Sequence, residues 1–158
     1  MAAPTPTTRQ TPTGFKMPDG YQALITFANK PAVQLWERQV KPPGLDGGDG
    51  IDTTTMHNVR WRTKANRHLI TLAEASAMCA YDPDSYNDLL SLLNSPQSIT
   101  VRFPDNSTLA FFGYMQKAEF GELKEGEFPE VTVQITPTNQ DPTSTSEQAP
   151  VFTAAPGT

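Results

Sequence analysis

Apolar and polar residues alternate along four segments of the chain, with the period of two that is expected of β-strands. The segments are 21–27, 59–64, 98–103 and 131–136. Tyr21, Ala23, Ile25 and Phe27 share one face of the first segment. The third is followed by the turn residues 104–107 and by a returning apolar segment, 109–115, so a hairpin is predicted there. Pro137 ends the last strand.

One segment departs from this alternation and predicts a helix. Asp82-Pro83-Asp84-Ser85 offers a capping carboxylate, a proline at the first helical position and an acid in the first turn. Apolar residues then recur at helical spacing, at Tyr86, Leu89, Leu90 and Leu93. We therefore expect a mainly β fold, a barrel or sandwich, with one flanking helix over about 83–93.

The segment 69–81 is ambiguous. Its alanines and Glu74 favour a helix, whereas the residues 68–72 favour a strand. Both assignments stay open at this stage.

Composition divides the 158 residues into one domain with polar extensions. Residues 1–19 and 140–158 are rich in Pro, Thr, Ser and Ala and cannot bury enough apolar surface to fold alone. We predict a flexible N-terminal arm, a β-domain over 20–139 and a flexible C-terminal tail. Within the domain, a long loop is predicted over 41–58.

Charge and cysteine content exclude several classes of protein. Lys and Arg total 12 against 17 for Asp and Glu, and a net charge of −5 disfavours a free-standing binder of nucleic acid or of membrane surfaces. The single cysteine, Cys79, forms no internal disulfide. The first residues lack the apolar segment of a signal peptide, and no apolar run reaches the roughly 20 residues of a membrane-spanning helix. Synthesis in the cytoplasm is expected.

The stretch Gly47–Asp52, GGDGID, fits the start of a calcium-binding nonapeptide repeat. That repeat needs stacked neighbouring turns to complete at least six oxygen ligands, and only one copy is present. Threonines also replace the apolar residue expected after Asp52. We therefore interpret the stretch as part of the long loop, with Pro42 and Pro43 stiffening its base and the glycines freeing its tip.

Catalytic chemistry has little support in the sequence. His57 and His68 lie in dissimilar contexts, and Cys79 lies in an Ala-rich apolar stretch where a buried, inert thiol is expected. Asp82 and Asp84 have capping and first-turn roles, and Asp88 fits the polar helix face. We predict no enzymatic activity and no cofactor or metal.

Two charged clusters stand out. Arg60, Arg62 and Lys64 alternate with Val59, Trp61 and Thr63 in the predicted strand, while an acidic cluster lies further along, at Glu119, Glu122, Glu125, Glu127 and Glu130. Ion pairs between subunits are the preferred interpretation of the two clusters. Direct DNA binding with Trp61 as a stacking platform, and a merely solvated face, are the alternatives.

Four stretches, in this order and spacing, resemble the tail tube proteins of long, flexible, non-contractile bacteriophage tails. They are WRTKANRHLITL, AYDPDSYNDLLSLLN, ITVRFPDNSTLAFFGYM and GELKEGEFPEVTVQITPTN. The resemblance covers about residues 20 to 139. It implies a β-barrel or sandwich with a flanking helix, assembled as hexameric rings stacked into a hollow tube, in which neighbouring subunits extend one another's sheet and so use their edge strands.

The resemblance also implies partners and a role for the long loop. The partners are further copies of the chain, the tape-measure protein, the tail terminator and distal tail proteins, and double-stranded DNA that passes without sequence-specific binding; the location is the virion tail, with no membrane contact. The loop reaches the adjacent ring. Its expected contact residues are Lys41, Pro42, Pro43, Gly44, Leu45, Asp46, Asp49 and Asp52.

Two other function classes fit a small β-rich domain. One is a β-barrel that binds single-stranded nucleic acid, which predicts a basic groove with aromatic residues on the same face. The other is a carbohydrate-binding module of a surface, for which Trp36, Trp61 and Tyr114 are candidate platforms. Packing of these aromatics in the core or between subunits is the preferred interpretation.

Overall fold

A computed structural model describes residues 22–33 and 35–155 and is mainly β. The predicted N-terminal arm, Tyr21 and the last three residues, 156–158, lie outside the described residues. The strands are β1 (Leu24–Phe27), β2 (Trp36–Lys41), β3 (Leu45–Asp46), β4 (Ile51–Asp52), β5 (Lys64–Ala65), β6 (Thr71–Leu72), β7 (Ala75–Ala80), β8 (Gln97–Arg102), β9 (Thr108–Phe120), β10 (Glu130–Pro137) and β11 (Val151–Thr153). In the described part of the chain the one α-helix, α1, spans Tyr86–Leu92 and follows a 3-10 turn, Pro83–Ser85.

Seven of these strands form one antiparallel sheet in the order β1-β8-β9-β10-β7-β2, with β11 paired to the first part of β9. The sheet curls into a half-barrel, so the predicted mainly β fold with one flanking helix is confirmed. Its two edge strands, β1 and β2, approach one another across the opening.

The core lies on one face of this sheet. Residues at alternate positions of β1, β7, β8 and β10 are buried there, as the period of two predicts. Leu89 and Leu92 of α1 complete the core against Met115 and its neighbours. At roughly 1.5–3 kcal/mol for each large apolar side chain removed from water, this one cluster supplies most of the favourable term in folding.

The opposite sheet face carries a mixture of polar, charged and apolar side chains. Ser76, Gln134 and Lys117 share one row across the strands, and Ser98 and Thr100 lie two rows apart on β8. All of these except Lys117 are half-buried, because cross-strand neighbours cover their stems. Met78, Phe112 and Tyr114 lie on the same face, with Lys117 beside Glu119, so hydroxyl and amide groups are mixed there with apolar side chains and charges of both signs.

The predicted hairpin is confirmed as β8, a turn, and β9. Asp105 shapes the turn, because its Oδ1 accepts hydrogen bonds from Ser107 N at 3.0 Å and from Ser107 Oγ at 2.5 Å. These bonds to the charged form lower the pKa of Asp105. Asn106 takes a positive φ of 69°, which asparagine tolerates in turns.

The predicted helix is also found, and its cap is as expected: Asp82 Oδ1 accepts from Asp84 N at 3.0 Å. The predicted apolar face is partly wrong, since Leu92 is buried and Leu90 is 59% exposed. At about 100° per residue, Leu92 lies about 60° to one side of Leu89 and Leu90 about 100° to the other. The sheet therefore covers Leu89 and Leu92 and leaves Leu90 outside.

The observed strands also test further predictions made from the sequence. The ambiguous segment 69–81 is β-structure, with β6 and β7. The strand predicted over 59–64 is wrong, because only Lys64 at its end enters a strand, β5. Four strands were not predicted: β2, β3 and β4, of which the last two lie within the predicted loop 41–58, and β11, which lies within the segment for which a flexible tail was expected.

Candidate assembly surfaces

The most prominent feature outside the sheet is a two-branched β-arm, residues 42–74, which we call the arm. Its branches pair from base to tip: Ala73 N donates to Gly44 O at 2.7 Å, Leu45 pairs with Leu72, Ile51 pairs with Ala65, and Thr53 N donates to Thr63 O at 3.0 Å. The predicted loop 41–58 is thus mainly one branch and the start of the tip. Lys41 is the last residue of β2.

Only the base of the arm is anchored in the body. Pro43 and Leu72 are buried, and the fixed φ of Pro42 and Pro43 restricts the direction in which the chain leaves the sheet. From Gly44 to Thr71 every residue is exposed except the half-buried Asn58. Each branch has about a dozen residues, so at about 3.3 Å per residue the arm extends at most about 40 Å.

Two of the three aspartates of the first branch shape its turns through their side chains, and Asp49 takes part through its backbone oxygen. Asp46 Oδ1 accepts from Gly48 N at 2.8 Å, and Asp52 Oδ1 accepts from Thr54 N at 2.9 Å. Hydrogen bonds from Thr54 lower the pKa of Asp52. The Asp49 backbone oxygen accepts from Arg67 Nε at 2.8 Å. Within 22–33 and 35–155, no three His, Cys, Asp or Glu residues are grouped as a metal site requires.

Gly48 allows the two branches to pack closely at the middle of the arm. Its φ is +76°, and a Cβ at this position would lie 2.8 Å from Arg67 Cδ. A side chain here would be strained by the backbone and would displace the arginine that crosses to Asp49.

The tip of the arm is organised by Asn58. Its Oδ1 accepts from Thr55 N at 2.8 Å, and its Nδ2 donates to Trp61 O at 2.8 Å. These side-chain bonds replace a strand ladder, which is why residues 59–63 do not form the predicted strand. Trp61 is 77% exposed, and the guanidinium carbon of Arg60 lies 5.8 Å from its ring centroid.

The returning branch is strongly basic. Arg60, Arg62, Lys64 and Arg67 lie on it, and the sequence has no Asp or Glu between Thr53 and Ala73. Arg62 Nη1 lies 3.7 Å from Asp52 Oδ2, but both side chains are exposed, so solvent screens the attraction between them. Most of this positive charge is therefore available to a partner.

The acidic cluster lies at the connection between β9 and β10. We call residues 121–129 the acidic turn; Glu122, Glu125 and Glu127 lie in it, with Lys124 Nζ 3.1 Å from Glu122 Oε2. Glu119 lies 3.0 Å from Lys117 Nζ, and Glu130 pairs with Arg38. In the described ranges the arm's cations do not pair with these glutamates, so the predicted inter-subunit pairs do not form within one chain.

A second candidate surface is the opening between the edge strands. The backbone N–H of Ile25 on β1 points away from β8 and donates to Glu37 Oε1 of β2 at 3.0 Å. Beside it lies a cleft of about 860 Å³, lined in part by Leu24, Trp36 and Arg102. Burial raises the pKa of Glu37. One side chain thus bridges two strands whose edges are otherwise unpaired.

For the two tryptophans, exposure rules out the core alternative of the sequence interpretation, and packing between subunits stays a prediction. Trp36 and Trp61 lie at the surface rather than in the core, and Tyr114 is half-buried. Trp36 Nε1 donates to Asp82 Oδ2 at 3.3 Å. Tyr86 stacks on Phe120, with ring centroids 5.7 Å apart. This contact was not predicted, because no sequence pattern links the two positions.

The groups considered for catalysis are dispersed. Cys79 is buried, as predicted, and burial together with the charge of Glu37 raises the pKa of its thiol to about 12. A thiol with such a pKa is almost never the reactive thiolate at neutral pH. His57 and His68 are both exposed on the arm. No helix in the described residues is long and apolar enough to cross a membrane.

No protein-family model and no curated protein sequence matches this chain. Solved structures that share its fold include the following two. A chain of the virion of a native gene transfer agent particle is 13% identical, with a TM-score of 0.63, over 87% of this chain and 100% of that one. A chain of the six-fold symmetrised anti-feeding prophage baseplate is 9% identical, with a TM-score of 0.57, over 85% of this chain and 92% of that one.

Proposed function

We propose that this chain is a structural protein of a phage-type virion, which polymerises as stacked hexameric rings into a tail tube. The tube is a conduit for genome ejection and surrounds the tape-measure protein; the chain itself catalyses no reaction. The fold shared with chains of a virion particle and of a six-fold symmetrised baseplate supports this function.

The observation that carries the proposal is the arm. Seven large apolar side chains are exposed on it: Leu45, Ile51, Met56, Val59, Trp61, Leu69 and Ile70. A monomeric protein rarely exposes so many large apolar side chains on one extension, whereas an interface residue gains free energy when a partner covers it. We assign the arm to docking on the adjacent ring; it contains seven of the eight expected contact residues, and the eighth, Lys41, directly precedes it at the end of β2.

The edges of the sheet support lateral association within a ring. β1 and β2 end the sheet, and unpaired edge strands invite pairing with another chain. In the proposed ring each copy's edge pairs with a neighbour's edge, so that the sheet continues around the lumen. A closed ring leaves no edge for uncontrolled aggregation.

The sheet face opposite the core suits a conduit for DNA. Cations would hold phosphates by releasing counterions, but on this face Lys117 Nζ lies 3.0 Å from Glu119 Oε2, and the whole chain has a net charge of −5. In the proposed tube this face lines the lumen and DNA passes without specific binding. The tail terminator and distal tail proteins are proposed partners at the two ends of the tube.

Electron microscopy of the purified, concentrated chain tests the proposal. We expect six-fold rings and tubes of uniform diameter. The contrary result is a monodisperse monomer at high concentration that binds an oligonucleotide or a glycan, which would assign the chain to one of the two binding classes instead. An arm that binds DNA through Arg60 and Trp61 would give this result.

A further inference from the structure

The arm and the acidic turn project from opposite ends of the same strands. Ala75, where the arm joins β7, pairs with Ile135, whereas Ala80 at the other end of β7 pairs with Glu130, next to the acidic turn. Tyr81 N also donates to Pro129 O at 2.9 Å. The two features of one copy therefore point away from each other, separated by roughly 17 Å of strand at about 3.3 Å per residue.

A groove lies against the acidic turn. Its volume is about 530 Å³, and it is lined by Arg38, Gly121, Glu122, Glu127, Phe128 and Glu130. The groove is thus lined by three carboxylates and one guanidinium group. Phe128 and, beside the groove, Leu123 are largely exposed. The groove combines negative charge with apolar surface.

The tip of the arm is basic and apolar, so its charge is opposite to that of the groove. Arg60 and Arg62 flank the exposed Trp61, and Met56 and Val59 are fully exposed nearby. Aromatic side chains flanked by arginine are typical anchors of protein interfaces, where the ring fills a pocket and the guanidinium groups pair with carboxylates. In the described part of the chain Arg60 makes no ion pair, and neither do Glu125 and Glu127.

From this placement, and resting on the proposed function, we propose that the groove at the acidic turn receives the arm tip of a second copy. Trp61 of one copy lies against Phe128 of the next, and Arg60 and Arg62 pair with Glu125 and Glu127. Because the two surfaces lie at opposite ends of the strands, the contact is head-to-tail and propagates along the strand direction. Arm contacts thus stack the rings, while the sheet edges close them.

Reversal of charge on each surface, separately and together, tests the inference. One variant carries Arg60→Glu and Arg62→Glu, a second carries Glu125→Arg and Glu127→Arg, and a third carries all four changes. We expect each separate reversal to raise the concentration needed for tube formation by about tenfold or more, because like charges then face each other. The combined variant restores attraction, and its tubes form within about twofold of the original concentration.

The outcomes separate this inference from the proposed function. All four positions are exposed, so each variant must keep the melting temperature of the parent chain. Normal tubes from the second variant, or no recovery in the combined variant while the parent forms tubes, would overturn the inference alone. A parent chain that never forms rings or tubes overturns both. Glu147→Arg, an exposed reversal outside both surfaces, is the control and must assemble normally.

Crosslinking supplies a second measurement. Val59→Cys with Leu123→Cys places one thiol on each proposed surface, and the natural Cys79 is buried and unreactive. A short bis-maleimide should join copies of this variant into a ladder of covalent oligomers in assembled samples. Val59→Cys with Leu90→Cys, on the exposed side of α1, should give none. A ladder from the second pair alone would overturn the contact. DNA retention lost only in the arm variants, without any effect on assembly, would assign the tip to nucleic acid.

Discussion

Two leucines on α1 separate the buried from the exposed side of the helix. Leu92 is 1% exposed and belongs to the core, whereas Leu90 lies outside it. We expect Leu92→Ala to lower the free energy of unfolding by about 2–5 kcal/mol, through lost transfer energy and the cavity that remains. Leu90→Ala, with the same atoms removed, should change it by less than about 0.5 kcal/mol.

Urea denaturation of the unassembled chain measures both leucine variants. Equal losses from the two substitutions would mean that α1 packs on a different face. The pair tests which face of α1 packs on the sheet, because both substitutions remove the same atoms from nearby positions of one helix.

Glu37 predicts a specific dependence of stability on pH. Its pKa is raised by burial, although the hydrogen bond from Ile25 opposes the shift. A carboxyl group with a raised folded-state pKa favours folding most when protonated, below the unfolded pKa of about 4.3, and loses that contribution as pH rises through the folded value. Glu37→Gln keeps an acceptor for Ile25 N and removes the charge. The variant should therefore gain stability over the parent as pH rises from about 4 to 7.

Urea midpoints across this pH range provide the measurement for Glu37→Gln. Glu122→Gln, at a largely exposed position, is the control and should show no such trend. A Glu37 variant that loses stability at neutral pH would show that the charged carboxylate holds β1 and β2 together.

Local features that depend on residues two or three positions apart could be predicted from the sequence. Asp82 and Asp105 sit where cap and turn chemistry puts them, since such bonds span two or three positions. Cys79 could be predicted as buried because its neighbours are apolar. The surroundings of Trp61 could not, because alternation with Arg60 and Arg62 resembles a strand and only the Asn58 bonds prevent one.

At the scale of elements, strands with uninterrupted alternation could be predicted, and interrupted ones could not. In β2 the register shifts between Glu37 and Gln39, so Glu37 and Val40 point inward with an irregular spacing. β7 is built largely from alanine and other residues of low strand propensity, and its pairing with β10 and β2 overrides that propensity. The arm could be predicted only in part. Its first branch was predicted as a loop, but its second branch has no run of residues typical of a loop.

Excision of the arm separates its role in assembly from folding. Asp46 and Thr71 are cross-strand partners, so residues 47–70 can be replaced by Asn-Gly, which favours a two-residue hairpin turn. The melting temperature should stay within a few degrees of the parent, because the removed residues are almost all exposed. Tubes should be absent or very short.

Differential scanning calorimetry and electron micrographs of the excised variant make this measurement. Gly48→Ala is a milder companion: it strains the arm at a positive φ without touching the core. Full-length tubes from the excised variant would end the assignment of the arm to ring stacking. Loss of folding would instead make the arm part of the domain.

At the scale of the whole molecule, the proposed contacts of the sheet edges extend the assembly around a ring, and the proposed contact of the arm with the acidic turn extends it along the tube. The sheet edges β1 and β2 lie at the two sides of the half-barrel, and the arm and the acidic turn lie at its two ends. Lateral contacts that close and axial contacts that remain open produce a tube. Exposed charge pairs are screened by salt, so the axial contact should be the more sensitive of the two to ionic strength.

Amide exchange in free and assembled protein distinguishes these surfaces without any substitution. In the free chain the exposed part of the arm, 44–71, has few ladder bonds and should exchange fast, whereas the paired centre of β9 should exchange slowly. In tubes the arm should exchange about tenfold or more slowly, since docking removes its amides from water and adds the cost of undocking to every opening. Mass spectrometry of peptides from the arm and from β9 measures both in one experiment, with β9 as the internal control. Equal exchange of the arm in the two states would mean that the tube forms without it, and growth along the strand direction would then need another contact.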